Sequence, residues 1–257
     1  VEMPGLLVDR IIYTSQGSTD ANQYLRFFDS SNPISNAPSV NFTENEGIRD
    51  GYVSDYLYVR DSDNPTNAST AFFEYELEFE SGLESAVSST TLPDLDGKVL
   101  TILGKNYTFV KTLIDTTNNE VTLTFFNFYS SEYLDEGETK NYFINGKPYT
   151  VNVMMIMGNP PTVVLNINGE ITTPLNKGES VVLNDGLIVG VGNIFVNNGG
   201  TDSAQIYMGV EKLVLKDTEY TDTDFIQYVE INGMPMINAL VQIVGSELAS
   251  ATRFSIS

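Results

Sequence analysis

Twice in this chain a Gly-Lys pair is followed, after one spacer residue, by Tyr-Thr and an apolar-rich run. The two phrases are Gly104-Lys-Asn-Tyr-Thr-Phe-Val110 and Gly146-Lys-Pro-Tyr-Thr-Val-Asn-Val153. Each is preceded by another apolar run, so the pattern is strand, glycine turn, strand, which is how a β-hairpin is written. Val163-Val-Leu-Asn-Ile-Asn-Gly-Glu170 is a looser third copy. A second echo pairs Leu134-Asp-Glu-Gly-Glu-Thr-Lys140 with Leu175-Asn-Lys-Gly-Glu-Ser180, each leading into a strand-like run. Helical periodicity is absent, and β-branched and aromatic residues are common. The expectation is an all-β protein with little or no helix, and a related pair of β units within residues 92–217.

Strands are expected near 98–103, 106–114, 120–128, 140–145, 148–157, 162–168, 179–184, 187–196, 204–208 and 211–216. Asn118-Asn119, Asn145-Gly146, Asn168-Gly169 and Asp185-Gly186 supply the turns between them. Glu132–Lys140 reads as a loop and Ser81–Thr91, small and polar, as a linker. Before the linker, Phe73, Tyr75, Leu77 and Phe79 alternate with Glu74, Glu76, Glu78 and Glu80. Period two puts the apolar residues on one face and four carboxylates on the other, either solvated or paired with a basic strand or calcium. Asp29–Asp50 and Asp61–Ser69 read as long surface loops. These signals divide the chain into residues 1–91, an N-terminal β domain that 218–257 could complete, and 92–217. Both are expected to be β-sandwiches of immunoglobulin-like type.

Composition then removes whole classes of function. Thirteen basic residues against 34 acidic ones leave a net charge of −21. That charge argues against nucleic acid and against anionic lipid, and favours solubility and cation binding. There is no cysteine, so no disulfide or thiolate site. There is no histidine, which removes a Ser-His-Asp triad and the usual zinc and haem ligands. No apolar run is long enough to span a bilayer. The chain opens on Val1 rather than Met, as a processed chain or a piece of a longer precursor does.

The remaining chemistry is that of a surface. Closely spaced Asp residues are the ligands calcium prefers, and Asp61, Asp63, Asp94 and Asp96 are the chosen candidates, with Asp222 and Asp224 behind them. None matches an EF-hand loop, and Asp-x-Asp also serves as a plain turn cap. Asn41, Asn67 and Asn106 head Asn-x-Ser/Thr triplets, whereas Pro65 disqualifies Asn64. Paired carboxylates could serve a glycosidase, but any chain this acidic offers such pairs, and there is no Trp for a sugar platform. No enzyme is expected.

In their order, several phrases resemble archaeal surface-layer proteins. They are Leu103-Gly-Lys-x-Tyr-Thr, Leu134-x-x-Gly-Glu-Thr, Ile144-Asn-Gly-Lys-x-Tyr-Thr-Val, Ile167-Asn-Gly-Glu-x-Thr and Leu175-x-x-Gly-Glu. Tyr207-Met-Gly-x-x-Lys-x-x-Leu-Lys-Asp217 closes the series. The resemblance covers about residues 92–217, and family members are commonly much longer than this chain. It implies an extracellular structural role: β-sandwich domains assembling with copies of themselves, often glycosylated and calcium-assisted, with no catalytic residues. Val1–Tyr13 or Ala251–Ser257 could then be a strand donated to a neighbour. The alternative is a monomeric adhesin or carbohydrate-binding β-sandwich module.

Overall fold

The computed structural model describes residues 10–14, 17–27, 48–49, 52–53, 73–79, 82–221, 228–236, 239–248 and 253–256. The chain is all-β, built from antiparallel sheets. Its first strands are β1 (Arg10–Thr14), β2 (Gly17–Phe27), β3 (Ile48–Arg49), β4 (Tyr52–Val53), β5 (Phe73–Phe79) and β6 (Leu83–Ala86). A 3-10 turn at Pro93–Leu95 precedes β7 (Val99–Ile102), β8 (Lys105–Asp115) and β9 (Glu120–Asn127). Then come β10 (Ser130–Asp135), β11 (Thr139–Ile144), β12 (Lys147–Met157), β13 (Thr162–Ile167), β14 (Glu170–Ile171) and β15 (Leu175–Asn176). β16 (Ser180–Val182), β17 (Ile188–Phe195), β18 (Ser203–Met208) and β19 (Glu211–Asp217) follow. The tail adds β20 (Val229–Ile231), β21 (Met234–Pro235), β22 (Gly245–Leu248) and β23 (Arg253–Ile256).

Turn chemistry explains the hairpins. Leu103-Gly104, Asn145-Gly146, Asn168-Gly169 and Asn232-Gly233 each place two successive residues at positive φ. That is the two-residue turn whose twist matches the strands it joins. The second echo is likewise one structure used twice. The Glu138 N–H donates to the Asp135 carbonyl, and the Glu138 carboxylate reaches back to the Asp135 N–H. Glu179 and Asn176 repeat both bonds. The third residue of each turn, Gly137 (φ +83) or Gly178 (φ +81), donates to a strand valine, Val153 or Val191. Each valine N–H returns a bond to the glutamate carbonyl.

Two extended cores result, and the fold is β-sandwich-like. One gathers β7–β9 and β19 with Phe79, Leu83, Leu92, Leu95, Tyr220, Val241, Ile243, Phe254 and Ile256. The other lies between the β10–β18–β17–β16 sheet and the sheet of β11–β15, around Val151, Val153, Leu165, Val189 and Ile206. The composition change near residue 92 marks no gap in packing, because Phe79 and Leu83 share the first core with Leu92.

The topology is nested. β9 and β19 are neighbours, paired from Asn127↔Glu211 to Val121↔Asp217, and everything from β10 to β18 is inserted between them. The insertion leaves and returns side by side. The Tyr129 N–H donates to the Met208 carbonyl at 3.0 Å, and Ser130 pairs with Met208. β9–β10 and β18–β19 therefore form one nearly unbroken two-stranded ribbon joining the cores.

Three sequence expectations are corrected. The Ser81–Thr91 linker contains β6, whose Leu83 and Ser85 are buried and which pairs with β23. Two thirds of the Glu132–Lys140 loop is strand, since β10 pairs with β18 through Asp135 and β11 begins at Thr139. The tail is not a spare arm: β23 is the middle strand of β22–β23–β6, with Phe254 fully buried. At the other end Arg10–Tyr13 of the Val1–Tyr13 segment pair with β2, and Val1–Asp9 lie outside the described residues. In the β2–β5 ladder Arg26 stands opposite Glu74, Tyr24 opposite Glu76 and Asn22 opposite Glu78. The side chains of the glutamate ladder lie outside the described residues.

Candidate functional site

Each Gly-Lys-x-Tyr phrase builds the same device. Residues two apart share a strand face, so the Lys and Tyr of a Lys-x-Tyr triplet reach one acceptor together. Lys105 Nζ lies 2.8 Å from a Glu211 carboxylate oxygen, and the Tyr107 hydroxyl donates to the other. Lys147 Nζ and the Tyr149 hydroxyl meet Asp185 Oδ2 at 3.2 and 2.6 Å. A third triplet, Lys140-Asn-Tyr142, meets Glu132 at 3.1 and 3.2 Å and so ties edge strand β11 to edge strand β10. The electrostatics agree within each clamp. The Tyr149 hydroxyl, then the Leu187 N–H and Lys147, hold Asp185 down at about 2. Lys105 and Tyr107 lower Glu211, while burial, followed by Glu211, raises Tyr107. Burial and then Glu132 raise Tyr142.

The two cores meet at a second constellation. Phe126 and Tyr207 are buried with Val110 and Val210, their rings edge-to-face at 5.3 Å between centroids. Phe128 meets the same tyrosine edge-to-face at 4.7 Å. Gly190 is required here, because a Cβ would fall 2.5 Å from the Phe126 ring. Beside this plug Lys177 forms an ion pair with Asp96, and Gly178 packs against the Lys111 side chain. Asp96, Asn193, Gln205, Tyr207, Phe109 and Val110 line a crevice of about 20 Å³, room for a water rather than a substrate. Burial raises Tyr207 to about 12, with Tyr133 and Asp96 adding to the effect.

The expected site residues fall as follows. Asp94 accepts from the Ala86 N–H at 2.8 Å and donates its own N–H to the Ser85 hydroxyl oxygen, fixing the 3-10 turn to β6. Asp96 turns to Lys177 instead, so the two carboxylates serve different partners. Asp61, Asp63, Asp222 and Asp224 lie outside the described residues, as do Asn41 and Asn67. Among the described residues no three acidic side chains gather at metal-binding spacing. Asn106 is exposed at the start of β8, its amide oxygen accepting from Thr101, while Thr108 of the same triplet is buried. No helix among the described residues is long and apolar enough to cross a membrane. Two of the three clamps escape a reading of the sequence because their carboxylates stand far along the chain, Glu211 being 104 residues from Tyr107 and Asp185 36 from Tyr149. The only local signal is the recurring Lys-x-Tyr. No protein-family model, curated protein or solved structure matches the chain.

Proposed function

We propose that this chain is an extracellular structural subunit that assembles with copies of itself, as part of an archaeal surface layer or a related cell-surface filament. It is a building element rather than an enzyme. The observation that carries the reading is the junction between the cores. An array subunit must hold the angle between its contacts, and this junction combines a two-stranded ribbon, a buried aromatic plug and the Asp96–Lys177 pair. The ordered surface-layer-like phrases at 103–217 support the same role. So does the net charge of −21, which suits divalent ions such as calcium bridging neighbouring copies outside the cell. N-glycans at Asn41, Asn67 and Asn106 belong to this reading.

Negative-stain electron microscopy of the purified chain, in millimolar calcium and again in chelator, tests it. Sheets, tubes or filaments that dissolve in chelator are expected. Assemblies indifferent to chelator keep the structural role and remove the ion bridges, and isolated particles in both conditions refute it. One observation favours the monomeric carbohydrate-binding alternative. Tyr133 and Phe195 form an exposed, tilted aromatic pair, 5.7 Å between centroids, on the same sheet as Gln205. Under that reading isolated particles bind neutral oligosaccharides, and Phe195→Ala abolishes the binding.

A further inference from the structure

The outer face of the β11–β15 sheet is uncharged, although the chain is strongly acidic. Its inward positions are filled by Tyr142, Ile144, Tyr149, Val151 and Val153 with Val163, Leu165 and Ile167. The alternate, outward positions carry no charge. Across the sheet run Thr139, Asn152, Asn166 and Ile171 in one register row, with Phe143 and Met155 in rows on either side. The charged residues of these strands are drawn off the face: Lys140 to Glu132, Lys147 to Asp185, and Glu170 to the Asn184 N–H.

The polar groups on the face also satisfy one another. The Thr150 hydroxyl donates to Asn141 Oδ1 at 2.7 Å, and the Asn152 amide donates to the Thr139 hydroxyl oxygen at 3.0 Å. The Gly169 N–H donates to Asn166 Oδ1 at 2.9 Å. Groups already bonded within a surface cost little to cover. Phe143 is 69% and Ile171 62% exposed, so there is apolar area to gain by covering them.

We propose that this face seats the same face of a second copy of the chain, an inference that rests on the assembly reading. The argument for that occupant is charge. Two molecules of net charge −21 repel wherever acidic surfaces meet, and an uncharged sheet face is where two copies approach with least opposition. Pairing it with itself gives a closed two-fold contact. Strand spacings put the face at about 400–700 Å² per copy. That is at or below the roughly 800 Å² per partner of a standard stable interface. The contact is therefore weak and reversible as a pair, and gains strength where copies are held together at other points.

Because the opposing force is long-range repulsion, monovalent salt strengthens the contact, the reverse of an ion-pair interface. Sedimentation equilibrium of the whole chain in chelator, from about 0.05 M to about 1 M NaCl, reads this directly. The dimer fraction is expected to rise with salt. Asn166→Asp keeps the acceptor for Gly169 while placing a charge at the centre of the face, and Ile171→Glu does so at its margin. Each is expected to weaken association by at least about ten-fold, with circular dichroism verifying the fold. Met234→Glu on β21, 68% exposed and away from this face, should leave it unchanged. If both folded variants associate as the unmodified chain does, the surface is wrong and the assembly reading stands. If the unmodified chain stays monomeric at every salt and concentration in chelator, this contact is wrong, and the assembly reading is decided separately by microscopy in calcium. Retention of that monomer on a neutral polysaccharide, lost in Ile171→Glu, would assign the face to a different partner.

Discussion

Leu103 holds a backbone conformation that suits asparagine. Its φ is +48, close to the +50 of Asn145 at the same position of the second Gly-Lys hairpin, and its side chain is 54% exposed. A branched side chain at positive φ is strained, whereas asparagine tolerates that region. Leu103→Asn is therefore expected to stabilise the protein by about 1 kcal/mol, read as a rise of about 2–4 °C in Tm. The tyrosines set the alkaline limit. Burial raises Tyr75 and Tyr207 to about 12 and pushes Tyr107, Tyr142 and Tyr220 up as well. Folding thus favours the protonated phenol. The associated stability is complete below the ordinary value of 10.0 and is lost as pH rises through the folded values. Tyrosinate absorbance, undisturbed by tryptophan, should show a late-titrating class whose ionisation tracks unfolding. Asp185 works at the other limit: its contribution is complete above 3.8 and is lost as pH falls through about 2. Acid urea titrations of the chain and of Asp185→Asn should converge there.

Among the elements, the pairing of β17 with the Phe126 plug can be tested most directly. Gly190→Ala pushes a methyl into a fully buried ring. Overpacking of this kind costs about 1–3 kcal/mol, and the strain falls on the junction rather than on either core. Hydrogen exchange is expected to quicken at residues 126–130 and 207–210 while β12–β13 and the 112–123 end of β8–β9 stay protected. Most hairpins were legible in the sequence because they are local: Asn-Gly and Gly-Lys turns sit between alternating runs only a few residues long. β10 was not, since Ser130-Ser-Glu-Tyr-Leu-Asp135 has one fully buried residue, Leu134, and is a strand because β18 lies beside it. β6 was hidden likewise, its buried Ser85 being held by contacts with Asp94 rather than by hydrophobicity. The clamp lysines and tyrosines stood in plain view, but two of their three acceptors, Glu211 and Asp185, are long-range partners that no local pattern announces. The nested order depends on β9 meeting β19 across about eighty residues of insertion, and spacing alone carries no trace of it.

For the molecule as a whole, charge and nesting make separate predictions. A net −21 opposes compactness through self-repulsion, which salt screens. Tm should climb from low to moderate NaCl with chelator present, and a flat response would mean that the acidic groups are locally neutralised. Residues 129–209 begin and end side by side and hold a core of their own. Expressed alone, that segment is expected to fold cooperatively, with thermal melting by circular dichroism as the measure. The same nesting decides how the protein bears load. Tension between the ends of the chain must first part the β9–β19 ladder before it reaches anything from β10 to β18. The inserted core is thus slack held in reserve. Once that ladder gives way, it can pay out roughly 270 Å of extended chain, so a stretched molecule would lengthen before it broke.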